Sequence, residues 1–210
     1  MKRIFLKGLT TGLILQLAIG PVFIFITNIA FQKGLINAFF AVVAVTLVDY
    51  IYITMAIIGL GKILEQGRIK KIFTITSSLI LIIFGLIMIK KGFSFSINNT
   101  QNGVTVNNIR ESFFSTFILT ISSPLTILFW TGIFTAKTIE YSMNKKELAV
   151  FGFASGLATF LFLGSIVILL SFMRTMISTK LIQILNIFVG LLLIFYGITR
   201  TIETVNKNKD

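Results

Sequence analysis

Several residue types on which many enzymes and metalloproteins depend are absent or rare in this chain of 210 residues. It contains no cysteine and no histidine, which excludes disulfides, thiolate nucleophiles, histidine general bases and the common zinc sites. Only two prolines, Pro21 and Pro124, and seven acidic residues are present. The chemistry of the protein must therefore rest on carboxylates, amides, hydroxyls and the backbone.

Charged residues of either sign are scarce and apolar residues are abundant. Only 12% of the residues are charged and 55% are hydrophobic, with a mean hydropathy of +0.95, far outside the range of soluble proteins. The net charge of +12 does not indicate nucleic-acid binding, because the basic residues lie in short connectors between apolar runs. The composition predicts an all-α integral membrane protein that crosses the lipid bilayer several times.

Six uncharged or nearly uncharged runs are long enough to cross roughly 30 Å of hydrocarbon as helices. They are 8–32, 34–61, 72–89, 112–136, 148–173 and 181–199. The first run is too long for a signal peptide and lacks a clear cleavage site, so we expect it to be retained as a transmembrane helix. We predict one polytopic membrane domain, with a three-helix repeat over 1–97, a polar linker loop over 98–111 and a second repeat over 112–210.

The positions of the basic residues predict the orientation of the chain. With the N-terminus inside, the inner segments hold thirteen of the 19 basic residues and the outer segments hold six. Short cytoplasmic loops are enriched in Lys and Arg. We therefore expect a multi-pass protein of the cytoplasmic membrane with both termini in the cytoplasm.

Each proline stands near the middle of an uncharged run, where it must break or kink a helix. The two halves can be superimposed with Pro21 over Pro124, Gly59 near Ile168 and Gly85 over Gly197, at offsets that grow from 103 to 112. Because three helices is an odd number, such a repeat must be inverted across the membrane, as in many secondary transporters. The pattern predicts a 3+3 inverted repeat in which the first and fourth transmembrane helices are broken.

Residues beside the two breaks are candidates for a binding site. The N-termini of half-helices can bind a carboxylate, and unwound carbonyls can bind a cation or an ammonium group. Gly20 allows close approach to the backbone beside Pro21, and Ser122 and Ser123 supply hydroxyls beside Pro124. The alternative is an ordinary proline kink whose free backbone groups are satisfied by neighbouring helices.

Asp49 is the one acidic residue well inside an apolar run, where a charged side chain costs about 2.5 to 3.5 kcal/mol on insertion scales. It could bind a proton or a substrate amine, or it could be a structural acid bonded to a Ser or Thr hydroxyl or to backbone freed at Pro21. No basic residue lies within the runs to form a permanent ion pair with it. Gln16, one helical turn before Gly20, either lines the pathway or makes an interhelical hydrogen bond.

Other features of the sequence indicate packing. Gly8 and Gly12, and likewise Gly152 and Gly156, are spaced as small residues at close helix contacts, and Asn186 is a candidate for an interhelical hydrogen bond. The aromatic residues Trp130, Tyr50 and Tyr52 could line a pathway, anchor helices at the membrane interface or fill the core.

The sequence resembles the LysE/RhtB amino acid exporters over nearly its whole length. The resemblance lies in Gln-Leu-Ala-Ile-Gly-Pro ending at Pro21, Gln-Lys-Gly-Leu-Ile-Asn-Ala around Gly34, Asp49 before Ala-Ile-Ile-Gly-Leu, Ser-Ser-Pro-Leu-Thr-Ile-Leu-Phe-Trp around Pro124, and Gly-Leu-Leu-Leu-Ile-Phe-Tyr-Gly ending at Gly197. The chain departs from the family's usual Pro-Gly-Pro at Ile19 and from its frequent Asn-Pro at Ser123, while keeping both prolines.

This resemblance implies efflux of small amino acids or similar solutes, driven by the proton gradient or another ion gradient, with no cofactor. Exporters of metal cations in the wider superfamily are the alternative. An intramembrane aspartyl enzyme would need two carboxylates in one site, so we do not expect an enzyme. The substrate and coupling ion remain open, as does the formation of a homodimer.

Overall fold

In the computed structural model, residues 1–16, 20–59, 67–94, 108–141, 143–173 and 179–206 are described. Within these ranges the protein is helical and has no strand. The seven helices of the described part are α1 (Lys2–Gln16), α2 (Pro21–Ile58), α3 (Gly67–Ser94), α4 (Ile109–Ile121), α5 (Pro124–Tyr141), α6 (Lys145–Met173) and α7 (Thr179–Asn206).

Three helices among the described residues are long and apolar enough to cross a membrane. They are α2, α6 and the Lys180–Thr199 part of α7. In α3 the apolar stretch Thr74–Lys90 is shorter. Large apolar side chains also face outward, among them Phe172 on α6, which is 76% exposed. Because such surfaces are unfavourable in water and suited to lipid, these features confirm the predicted all-α membrane protein.

Both prolines begin a helix, so the predicted interruptions are present. Gly20 is extended, with φ −119° and ψ −178°, and Pro21 is the first residue of α2. Likewise α4 ends at Ile121 and α5 begins at Pro124. Proline fits the first turn because the N–H that it lacks has no intrahelical partner there.

Two glycines with positive φ shape α2. Gly34 has φ 79° and divides the helix into the parts 21–33 and 35–58, at the boundary predicted between the first two apolar runs. Gly59 has φ 82° and ends the helix by donating its N–H to the Ala56 carbonyl at 3.1 Å. Both positions need a left-handed backbone that residues with a Cβ rarely adopt.

Two helix ends differ from the predicted segment boundaries. The first helix after the linker begins at Ile109, inside the predicted loop 98–111, because the Asn108 side chain accepts a hydrogen bond from the Glu111 N–H at 3.2 Å and caps the helix. At the C-terminus, α7 continues to Asn206, beyond the end of the predicted apolar run 181–199. The remainder of the predicted linker, 98–107, lies outside the described residues.

The helix α2 is central to the packing and contacts α4, α5, α6 and α7, while α1 packs on α6. A Cβ added to Gly12 would lie 2.6 Å from the Ser155 carbonyl oxygen of α6, and Gly8 is equally close to that helix. On α6, Gly152 and Gly156 lie against Ile53 and Tyr50 of α2. The prediction that these glycines serve close helix packing is confirmed.

The contact between α3 and α7 is built on two glycines that face each other. A Cβ on Gly85 would lie 2.6 Å from the Gly190 carbonyl oxygen and 2.6 Å from Ile194 Cγ1. A Cβ on Gly190 would lie 2.6 Å from the Gly85 carbonyl oxygen and 2.6 Å from Ile89 Cγ1. The two helices therefore approach until their backbones touch.

We expect the Gly85→Ala substitution to lower the free energy of unfolding by about 1–3 kcal/mol, the usual cost of overpacking. The nearest obstacle is a backbone carbonyl, which cannot move without separating α3 from α7. Gly164→Ala in α6 is the matched control, since a Cβ there meets no atom within 4 Å and alanine favours the helix. Thermal unfolding of both purified variants in one detergent measures the difference, and equal stabilities would contradict this packing.

Candidate functional site

The two helix interruptions border one cavity of about 270 Å³. Six of the seven described helices or their caps contribute to its wall, and α3 does not. The lining residues are Leu15, Gln16, Gly20, Pro21, Val22, Phe23, Val45, Asp49, Thr120, Ser123, Thr126, Phe129, Trp130, Leu163 and Tyr196. We refer to this space as the central cavity.

The central cavity brings together most of the candidate residues of the sequence analysis. Gln16, Gly20, Pro21, Asp49 and Ser123 all line it. Ser122 lies apart from its wall and donates its hydroxyl to the Ile118 carbonyl of its own helix at 2.6 Å. Pro124 is the first residue of α5.

Asp49 is held by two neighbouring helices. It is 3% exposed, its Oδ1 accepts a hydrogen bond from Trp130 Nε1 of α5 at 3.1 Å, and its Oδ2 accepts one from Thr159 Oγ1 of α6 at 2.8 Å. Lys33 and Glu111 form an ion pair elsewhere in the structure, and Asp49 does not take part in it. The negative charge of Asp49 is therefore met by neutral donors only within the described part of the chain.

A third residue extends this network. Gln16 Nε2 donates to Thr159 Oγ1 at 2.7 Å, which directs the hydroxyl hydrogen of Thr159 towards Asp49. The indole of Trp130 can only donate. The arrangement therefore keeps two acceptor oxygens of Asp49 in fixed positions at the cavity wall, and Gln16 both lines the cavity and makes an interhelical hydrogen bond.

Helix ends of both signs also meet at the central cavity. The first turns of α2 and α5 line it through Pro21, Val22 and Thr126, and the last turns of α1 and α4 line it through Gln16 and Thr120. Helix N-termini carry partial positive charge and C-termini partial negative charge. The cavity can therefore receive a solute that bears an anionic and a cationic group.

The second interruption is supported by a residue outside the cavity. Tyr52 of α2, which is 3% exposed, donates its phenolic hydroxyl to the carbonyl of Ile121 at the end of α4. This carbonyl would otherwise lack a partner in an apolar environment. Tyr52 thus stabilises the break between α4 and α5. The sequence had left open whether Tyr52 lines a pathway, anchors a helix at the membrane interface or fills the core.

Sequence reasoning did not identify Thr159 and left Trp130 undecided. Thr159 is one of several hydroxyl residues on an apolar helix, and nothing in its local sequence distinguishes it from Ser155 or Ser165. Its significance comes from the approach of α6 to α2. Trp130 is the only tryptophan in the chain, but its bond to Asp49 depends on how α5 packs.

We expect Thr159→Val to lower the free energy of unfolding by about 1–3 kcal/mol, because it leaves buried polar atoms of Asp49 and Gln16 without their partner. Thr46→Val is the matched control. Thr46 is also buried, and its hydroxyl donates to the Val42 carbonyl of its own helix. In Thr46→Val this carbonyl keeps its backbone hydrogen bond within the helix. Thermal unfolding in detergent separates the two, and a control variant as unstable as Thr159→Val would contradict the special position of Thr159.

Comparison with known proteins identifies the family of the chain. A family model described as LysE type translocator matches residues 13–204. Over 211 aligned residues the chain is 29% identical to "Putative amino acid efflux protein YcgF" of Bacillus subtilis (strain 168), and the alignment covers 93% of each protein. No solved structure matches the chain. The family match covers most of a polytopic membrane protein, and the chain belongs to the LysE type translocator family.

Proposed function

We propose that the protein is a secondary transporter that exports small amino acids or related solutes across the cytoplasmic membrane, coupled to the proton gradient by alternating access. One observation carries this proposal: four half-helix ends and a buried carboxylate converge on one cavity. The similarity to a protein named for amino acid efflux supports the substrate class.

An amino acid zwitterion complements the central cavity. Its ammonium group binds Asp49, and its carboxylate binds the N–H groups in the first turns of α2 and α5. The remaining wall includes Val45, Phe129 and Leu163, which suits a small apolar side chain. Gln16, Gly20, Pro21 and Ser123 shape and line this site, while Ser122 and Pro124 maintain the second break.

Asp49 also provides a means of coupling. A carboxylate in an apolar environment that has no basic partner is stabilised by a proton or by a cationic ligand. Competition between a proton and the substrate ammonium for Asp49 links their movement in opposite directions. Trp130 and Thr159 hold the carboxylate oxygens in place while the occupant changes.

The architecture that we propose for alternating access has six transmembrane helices in a 3+3 inverted repeat. The first consists of α1 and residues 21–33, and the fourth consists of α4 and α5. The reciprocal contacts of α3 and α7 support this symmetry, because Gly85 meets Ile194 as Gly190 meets Ile89. In this proposed repeat Gly85 pairs with Gly190, 105 residues later, whereas the superposition of the two sequence halves paired it with Gly197. The offset of 105 residues is close to the 103 residues between the two prolines.

The absence of cysteine from the natural chain makes the topology directly testable. Arg110 at the start of α4 and Lys146 at the start of α6 are exposed, and with six spans they lie on opposite sides of the membrane. We expect a membrane-impermeant maleimide to label Arg110→Cys in intact cells and Lys146→Cys only after permeabilisation. Labelling of both cysteines from one side would contradict the six-span arrangement, and the natural chain is the unlabelled control.

A metal-cation exporter remains the alternative, but it has less support. Hard cations bind several oxygen ligands, and among the residues that the structure describes Asp49 is the one carboxylate that lines the central cavity. In the described part of the chain, no group of three or more acidic residues is placed to hold a metal ion.

The proposal is tested by efflux from cells preloaded with amino acids as dipeptides. We expect cells that express the wild type to lose particular amino acids faster than empty-vector cells, and Asp49→Asn to slow this efflux about tenfold or more, as for loss of a charge-assisted contact. Glu147→Gln is the control. Glu147 accepts a hydrogen bond from the Asn144 N–H at 3.0 Å in a capping box, which glutamine also forms.

Both variants must reach the membrane in the amount seen for the wild type. Equal efflux from the wild type and Asp49→Asn would overturn the function of this carboxylate. If no amino acid leaves faster than from empty-vector cells, the substrate class is wrong, and metal-resistance assays become the next test.

A further inference from the structure

A second cavity, of about 210 Å³, lies at the other end of the helical segment 21–33. Its lining residues are Phe25, Asn28, Ile29, Gln32, Lys33, Phe84, Ile87, Met88, Glu111 and Ser115. None of them lines the central cavity. We refer to this space as the second cavity.

Packed apolar side chains separate the two cavities. Phe25 and Ile29 line the second cavity, Val45 and Leu163 line the central cavity, and all four belong to one buried apolar cluster. The segment 21–33 therefore contacts the central cavity with its first turn and the second cavity with its last two turns. A solute in one cavity is not in contact with the other.

The second cavity contains a charge of each sign. Lys33 at the end of this segment and Glu111 in the first turn of α4 form an ion pair, with 3.1 Å between Nζ and Oε2. Their side chains are 20% and 43% exposed. Ion pairs exposed to this extent are weakly held, so a ligand that satisfies both charges can replace the contact between them.

Three amide side chains form a cluster beside the second cavity. Asn28 is 2% exposed and Asn186 of α7 is fully buried. Asn186 Oδ1 accepts hydrogen bonds from Asn28 Nδ2 at 2.7 Å and from Gln32 Nε2 at 2.6 Å. Asn186 Nδ2 has no hydrogen-bond partner among the described residues. A buried donor without a partner is unfavourable, and it adjoins two residues of the cavity wall.

We propose that the second cavity is a separate binding site for a small zwitterionic amino acid. Lys33 binds the carboxylate of the solute, and Glu111 binds its ammonium group. This inference rests on the proposed function for its substrate class, but it assigns a site that does not include Asp49 or either helix break.

The chemistry of the lining fits this class of ligand. The cavity offers the Lys33 ammonium to a solute carboxylate and the Glu111 carboxylate to a solute ammonium, while the amide hydrogens of Asn28 and Gln32 are donated within the amide cluster. A volume of about 210 Å³ is below the roughly 300 Å³ at which pockets begin to accept drug-sized ligands. In the empty site Lys33 and Glu111 neutralise each other, and a bound zwitterion takes over both partners.

The test uses protection of single cysteines in the purified protein. Ser115→Cys reports on the second cavity and Thr126→Cys on the central cavity, and the natural chain supplies no other thiol. The rate of maleimide labelling is measured in the presence of L-alanine, L-valine, L-leucine, L-serine or L-threonine. Ethylamine and acetate are the control solutes, because each carries only one of the two charges.

We expect a protecting amino acid to slow labelling at both cysteines. The Lys33→Gln/Glu111→Gln double substitution should raise the concentration for half-protection at Ser115→Cys about tenfold, equivalent to about 1.4 kcal/mol, and leave protection at Thr126→Cys unchanged. Asp49→Asn should raise the concentration for half-protection at Thr126→Cys and leave protection at Ser115→Cys unchanged. Lys90→Gln, a charge removed from an exposed position on α3, is the control variant.

Each other outcome overturns the inference in a distinguishable way. If Thr126→Cys is protected and Ser115→Cys is not, or if Asp49→Asn abolishes protection at both, the second cavity is no separate site, while the proposed function stands. If no amino acid protects either cysteine, the substrate class of the proposed function is wrong and the second site fails with it. Should the double substitution prevent folding, Glu111→Gln alone tests the ammonium contact, since it keeps a hydrogen-bonding partner for Lys33.

Discussion

The structure depends on the requirement that backbone polar groups in an apolar environment find partners. Pro21 and Pro124 each begin a helix in the middle of an apolar stretch, and the helix ends that they create cannot face lipid. One carbonyl is satisfied by Tyr52, and the remaining ends border the central cavity. The cavity is therefore a consequence of two helix breaks that lie next to each other in one bundle.

The packing of the helices around this cavity also holds the Asp49 carboxylate in place. Its two oxygens are bonded to Trp130 and Thr159, from α5 and α6, and Gln16 of α1 supports Thr159. Residues of four helices thus meet at one carboxylate. In the transport cycle that we propose, a movement of α5 or α6 relative to α2 changes the hydrogen bonds of Asp49 and so links the occupancy of the cavity to the arrangement of the helices.

The segment 21–33 connects the two polar regions of the molecule. It lies between Gly20, which is extended, and Gly34, which has positive φ, so it is a short helix with a non-helical residue at each end. Its first turn lines the central cavity, and Asn28 and Lys33 line the second cavity.

The sequence by itself determined the membrane class, the helical fold and the two breaks, and it singled out Asp49 as a candidate site residue, because each inference follows from local physics. Apolar runs need lipid, proline cannot continue a helix, and a carboxylate in hydrocarbon needs a partner. The sequence did not predict that α4 begins at Ile109 or that α7 ends at Asn206, because caps and polar terminal turns carry little periodicity. Only the tertiary structure decided that Thr159 and Trp130 bind Asp49, that Ser122 turns to its own helix, and that Lys33 meets Glu111. These contacts join residues far apart in the chain, and their geometry depends on how the helices pack, which no local pattern specifies.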